Sequence, residues 1–147
     1  MVIYEDKLVK LEFDESIPCV VWQPIEFMEG EQFRRPFLIG MDFVERKIVD
    51  LPNLTWLNDT RKLRAVKTDD VKWLNANVND RVAKFGARKV AFVLPENIFG
   101  KMSVKLYVEF TSRRTNNTLN IKAFNNLEKA RTWLKNTSDV TVGEVSF

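Results

Sequence analysis

Four cations fall within the seven residues Arg61-Lys62-Leu63-Arg64-Ala65-Val66-Lys67, with no acid among them. Asn58, Asp59 and Thr60 stand directly before this stretch and Thr68 directly after it. Such a set has the chemistry of an anion site. Guanidinium and ammonium groups supply charge, and amide and hydroxyl groups supply hydrogen bonds. The plainer reading is a solvated basic loop in which Asp59 pairs with Arg61 or caps the turn. Neither reading needs catalysis. A second set with possible chemistry is apolar: Phe99, Met102, Val104, Tyr107 and Val108, which crowd one predicted helix.

Other chemistries are bounded by composition. The 147 residues include no histidine and one cysteine, Cys19. That removes a Ser-His-Asp triad, a Cys-His pair and a His general base. A Cys/His zinc site needs about four such ligands and cannot form within this chain. A carboxylate-only site for a hard metal stays open, but Asp69-Asp70 and Glu5-Asp6 read as surface groups. No cofactor is expected. Cys19 lies in an apolar run, Ile17 to Trp22, and reads as a buried thiol. Net charge is +3, and most cations are interleaved with acids. Aromatic residues do not interleave the basic run and no nucleic-acid motif is present, so nucleic acid is not an expected partner. Met1-Val2-Ile3-Tyr4-Glu5-Asp6 lacks the basic start of a secretory signal, and no apolar run approaches the about 18 residues of a membrane span. A cytoplasmic protein is expected.

These residues must be positioned by a fold, and 147 residues suit one domain. Leu8–Phe13 alternates as a half-buried strand, and Cys19–Trp22 follows Pro18 as its hairpin partner. Glu31–Val49 carries apolar residues at spacings of three and four, the mark of an amphipathic helix. Pro36 within it implies either a start near Arg35 or distorted first turns. Leu54–Asp59 reads as a central strand. Thr68 offers a hydroxyl cap, with Asp69 and Asp70 in the first turn of a helix to Phe85 closed by Gly86. Lys89–Leu94 is a continuous apolar run, as expected of a strand buried on both faces.

Asn97 can cap a third helix to about Arg113, with Ile98, Phe99, Met102, Leu106 and Phe110 inward. Val104, Tyr107 and Val108 then fall off that stripe, as a dimer surface or as a lid over a pocket. The alternation of Val104, Leu106, Val108 and Phe110 also fits a strand. Leu119–Phe124 is a further strand, and Asn125 caps a last helix to Asn136. Residues 1–136 thus form an α/β domain with a mixed, mostly parallel sheet of about five strands, an N-terminal antiparallel hairpin and about four helices. Residues 137–147 read as a tail, or as an added edge strand or dimer contact through Val140 and Val142.

Three segments resemble a known family. Leu57-Asn58-Asp59-Thr60-Arg61-Lys62-Leu63 is similar to a strand ending in Asp-x-Arg. Gly86-Ala87-Arg88-Lys89-Val90-Ala91-Phe92-Val93 is similar to a Gly-x-x-x-Val-Ala-x-Val strand. Phe124 to Leu134 is similar to a closing helix with Glu-x-Ala-x-x-Trp-Leu. With the element order, these resemble the STAS domain of anti-sigma-factor antagonists, and more closely the SpoIIAA-like, or STAS/SEC14-like, small bacterial proteins. The resemblance spans about residues 8–135 and implies a STAS-like fold; its motifs are mostly core and cap residues and specify no chemistry, and with no catalytic set in the chain no enzymatic activity is expected. Regulatory members carry a phosphorylated serine in an Asp-Ser-Ser-Gly-like turn. Here Lys67-Thr68-Asp69-Asp70-Val71 holds that place, and a phosphate on Thr68 would meet two carboxylates. The expectation is a protein-interaction or regulatory module, self-associating as a homodimer or docking a protein partner. The alternative is a carrier of an apolar or lipid-like molecule, as the SEC14-like side implies. That alternative requires a cavity lined by residues such as Phe99, Met102 and Tyr107.

Overall fold

The computed structural model describes residues 1–81, 89–115 and 120–136, with 112–115 described by backbone alone. Within these residues six strands form one sheet in chain order. They are β1 (Val2–Glu5), β2 (Val9–Asp14), β3 (Cys19–Pro24), β4 (Thr55–Asp59), β5 (Lys89–Val93) and β6 (Asn120–Phe124). The pairs β1–β2 and β2–β3 are antiparallel, and the pairs from β3 to β6 are parallel. The described residues also form four α-helices: α1 (Glu31–Lys47), α2 (Thr68–Leu74), α3 (Ile98–Thr115) and α4 (Leu127–Lys135). The α/β class, the mixed sheet and the N-terminal hairpin agree with the sequence reading. The sixth strand is an addition. Val2–Glu5 is too short to announce itself by periodicity, and it is ordered by pairing with β2, where Val2 meets Glu12 and Glu5 meets Lys10.

Strand alternation gives the sheet two different faces. Val9, Leu11, Val20, Trp22, Trp56, Val90 and Phe92 face a large core closed by α1, α2 and α3. Cys19, Val21, Leu57, Ala91 and Val93 face a smaller core closed by Ala130, Trp133 and Leu134 of α4. Trp22, Phe33, Phe37 and Trp56 meet in a chain of ring contacts with centroids 4.8 to 6.0 Å apart. Gly40 lets α1 settle on this cluster, since a Cβ there would lie 2.6 Å from the Trp56 ring.

The helix ends differ from expectation in instructive ways. α1 begins at Glu31 and runs through Pro36. Its N-cap position is Gly30, whose φ of 57° suits glycine, and whose N–H donates to Asp70 Oδ2 at 3.0 Å. Thr68 is not the cap of α2. Lys67 holds that position, and no side chain caps it. α2 continues as a π-helical segment, Asn75–Asn79. Val82, Phe85 and Gly86, expected at its far end, lie outside the described residues, as does the tail 137–147. Asn97 does cap α3, accepting from the N–H groups of Phe99 and Gly100. The cap of α4 is Asn126 rather than Asn125, and its Oδ1 accepts from Lys129 N.

The largest correction concerns α3. Residues 104–110 are helical, which removes the strand reading. The helix is also turned over. Ile98, Phe99 and Met102 are 66, 64 and 61% exposed, whereas Val104 and Tyr107 are 3 and 7% exposed. Leu106, Phe110 and Val108 are half-buried. The inward face is chosen by close approach and hydrogen bonding rather than by the largest apolar side chains. Gly100 sits so near the β4–α2 loop that a Cβ would lie 2.4 Å from the Leu63 carbonyl oxygen. One turn on, Ser103 Oγ accepts from Val66 N at 2.9 Å. Tyr107 and Thr111 then enter a buried polar network. Tyr107 OH donates to Asn79 Oδ1 at 2.7 Å, and Asn79 Nδ2 donates to Thr111 Oγ1 at 2.7 Å and to Asn75 Oδ1 at 3.0 Å. The π-helical turn holds both asparagines of this network.

Candidate functional site

The expected anion set lies where β4 ends, and the strand's alternation divides it. Trp56 and Asn58 fall on the face covered by α1 to α3, and Leu57 and Asp59 on the face of α4. Asn58 is buried, and its Oδ1 accepts from Trp56 Nε1 at 2.8 Å. Thr60 is buried as well. Its hydroxyl donates to Val93 O at 2.6 Å, which ties β4 to the end of β5.

Asp59 takes Arg61 in a bidentate pair. Nε donates to Oδ1 at 2.8 Å and Nη2 to Oδ2 at 2.7 Å. The hydrogen bond to Asp59, then its charge, raises the Arg61 pKa above the ordinary guanidinium value. An anion arriving at Arg61 must compete with that carboxylate. Lys67 donates to Glu29 at 3.3 Å, while Lys62 and Arg64 are exposed and make no ion pair within 4 Å among the described residues. Thr68 is exposed in the first turn of α2. The structure therefore does not bring Asn58, Asp59, Thr60, Arg61, Lys62, Arg64 and Thr68 together around one point.

Asp59 and Arg61 instead border a cleft of about 630 Å³ on the α4 face of the sheet, with Asp14, Arg131, Glu12 and Gln23 among its walls. Arg131 Nη1 donates to Asp14 Oδ2 at 2.7 Å across this cleft. Burial works against the charged form of Asp14. Hydrogen bonds from Ser16 and Arg131 outweigh it, and hold the carboxyl below the usual range. Each guanidinium here is matched to a carboxylate, so the cleft lacks the excess positive charge of an anion site.

Asp70 is not the surface group that its place beside Asp69 suggests: it is 2% exposed. Its carboxylate accepts from Gly30 N and from Arg34 Nε, both at 3.0 Å, and so fixes the start of α1 to α2. Arg34 also lies over the Trp73 ring, 5.3 Å from its centroid. The tell-tale signal was position: Asp70 precedes Val71 and Leu74 on the inward face. Cys19 is buried as expected, and burial pushes its thiol up to about 12. Burial likewise pushes the Tyr107 phenol up to about 12. Both groups stay protonated at neutral pH. Among the described residues, no three Cys, Asp or Glu side chains are placed to hold a metal ion, and no helix is long and apolar enough to cross a membrane.

Large apolar side chains are also exposed at this end of the molecule. Ile98 and Met102 stand four residues apart on the outer side of α3, and Leu106 and Phe110 continue this ridge half-buried, in contact with the large core. Phe99 flanks the ridge, and Lys101, Lys105 and Glu109 are exposed beside it. The basic β4–α2 loop packs against the same helix through Leu63 and Val66. Comparisons with protein-family models, with curated proteins and with solved structures found no match.

Proposed function

We propose that this chain is a non-enzymatic interaction module that pairs with a second copy through the outer ridge of α3. The observation that carries this reading is the exposure of Ile98, Phe99 and Met102, three large apolar side chains within five residues, each more than 60% exposed. Ridges at i, i+4 on two helices interdigitate at about −50°. An antiparallel pair related by a two-fold axis sets Ile98 near Phe110 and Met102 near Leu106 of the other copy. It also brings Lys101 of one copy toward Glu109 of the other. The β4–α2 loop, with Lys62 and Arg64, extends the surface beside the ridge. The resemblance to SpoIIAA-like and STAS domains supports a docking role of this kind, because the motifs that carry it are core and cap residues rather than a catalytic set. A cytoplasmic setting fits the reduced, buried Cys19.

Lipid carriage finds less support. Phe99 and Met102, expected as cavity walls, face outward, and the space beside Tyr107 is about 30 Å³. That is room for about one water, not for an acyl chain.

Sedimentation equilibrium over a range of concentrations tests the proposal. The wild type is expected to show a monomer–dimer equilibrium. Met102→Glu places a carboxylate in the ridge and should weaken pairing at least about tenfold. A wild type that stays monomeric throughout, or a dimer indifferent to Met102→Glu, overturns it.

A further inference from the structure

The first turns of α3 carry charge as well as apolar surface. Gly100 sets its backbone against the Leu63 carbonyl, and Ser103 Oγ accepts from Val66 N, so the basic β4–α2 loop lies along this helix. Leu63 is buried in that contact, and Lys62 and Arg64 on either side of it are exposed. On the helix itself, Lys101 and Lys105 are exposed beside Ile98, Phe99 and Met102. Among the described residues none of these cations has a carboxylate within 4 Å, whereas Arg61 is held by Asp59 and Lys67 by Glu29.

Acids are present but fewer. Glu96 precedes the helix, Glu109 lies one turn past Lys105, and Asp69 is in the first turn of α2. The first turn of α3 holds no acid, so its amino-terminal dipole adds to the positive side. Pairing of two copies through the ridge gives Lys101 a counter-charge in Glu109 and leaves Lys62, Arg64 and Lys105 without one. A surface that is both apolar at depth and anionic at its rim matches all of these groups together.

We infer that this face adsorbs to the surface of a bilayer containing anionic lipid. Ile98, Phe99 and Met102 enter the boundary between headgroups and acyl chains, and the long stems of Lys62, Arg64, Lys101 and Lys105 carry their charges back to the lipid phosphates. The contact is peripheral: α3 lies on the surface, and no helix among the described residues is long and apolar enough to cross a membrane. Adsorption goes beyond pairing and does not depend on it. Both use Ile98 and Met102, so one excludes the other, and an anionic surface draws the chain out of the pair.

Co-sedimentation of the full chain with vesicles tests this, using phosphatidylcholine alone and phosphatidylcholine with phosphatidylserine. Each cation held near an anionic surface strengthens binding about fivefold. The wild type is therefore expected to bind the mixed vesicles at least about tenfold more tightly than the neutral ones, and less tightly as salt rises. Lys62→Gln with Arg64→Gln should weaken adsorption to the mixed vesicles about 25-fold. Ile98→Ser with Phe99→Ser should weaken it at least about tenfold. All four positions are exposed, so both double variants should fold. The inference is overturned if the wild type does not bind the mixed vesicles, if it binds both kinds equally, or if either double variant binds as the wild type does. Sedimentation equilibrium without lipid reads pairing on the same samples, so failure of the pairing and failure of the adsorption are told apart.

Discussion

Val104→Ala and Met102→Ala test the orientation of α3, because the two residues sit two positions apart on opposite sides of the helix. Val104 is 3% exposed, within the core that contains Phe92 and Tyr107. Replacing it by Ala removes two buried carbons, a transfer loss of about 1.6 kcal/mol. The partly collapsed void adds up to about 1 kcal/mol, so about 2 to 2.5 kcal/mol is expected. Met102 is 61% exposed, and its truncation should fall within about 0.5 kcal/mol in the monomer. Urea unfolding followed by tryptophan fluorescence reads both. With a slope of about 2 kcal/mol per molar, Val104→Ala should lower the midpoint by about 1 M. Self-association adds a term that depends on concentration. Any loss from Met102→Ala should therefore fade on dilution, while the loss from Val104→Ala persists. A Met102→Ala loss in dilute solution equal to that of Val104→Ala refutes the orientation.

Adjacent acids on α2 should behave oppositely: Asp70→Ala strips the partner from Gly30 N and Arg34 and should cost about 1–3 kcal/mol, while exposed Asp69→Ala stays within about 0.5 kcal/mol, both read by thermal unfolding. Cys19, its thiol raised to about 12 by burial, should resist aromatic disulfide reagents at pH 8 in the native state and react promptly in denaturant; rapid native reaction contradicts its placement. Asp14 has a folded pKa below its unfolded value near 4, so its contribution is present above that pH and is lost as pH falls through the folded value. Stability of the wild type should therefore drop more steeply below about pH 4 than that of Asp14→Asn; identical acid limbs contradict the Asp14–Arg131 contact.

The hairpin Leu8–Phe13 with Cys19–Trp22 was legible because alternation and a Pro-led turn both point to it. β4 and β5 were legible because continuous apolar runs need cover on both faces. β1 was not, since four residues carry no period and their order comes from pairing with β2. α3 was recognised as a helix from its Asn97 cap, but its orientation was not. Apolar residues surround it, so the count of large side chains favours one face while Gly100, Ser103 and Thr111 choose the other. Those three are small or polar, and their value lies in contacts that exist only once the loop and the asparagines of the π-helical turn are in place. The basic loop was legible as a loop. Its dispersal across two faces follows from the two-residue period of β4, which sets Asn58 and Asp59 apart by geometry alone. Asp70 was misread because adjacency in sequence to exposed Asp69 says nothing about which side of a helix a residue takes.

The most direct test of pairing through α3 is a distance measured between two copies. Lys105 is exposed at the rim of the ridge, and Cys19 is buried and unreactive, so a nitroxide on Lys105→Cys labels one place. The account predicts a narrow, short distance distribution between labels in pulsed dipolar spectroscopy, one that persists when excess unlabelled Met102→Glu protein is added, fades as excess unlabelled wild type exchanges into the dimer, and is absent when the label is carried by Met102→Glu protein. A featureless background at concentrations where sedimentation shows dimer would place the interface elsewhere and contradict it.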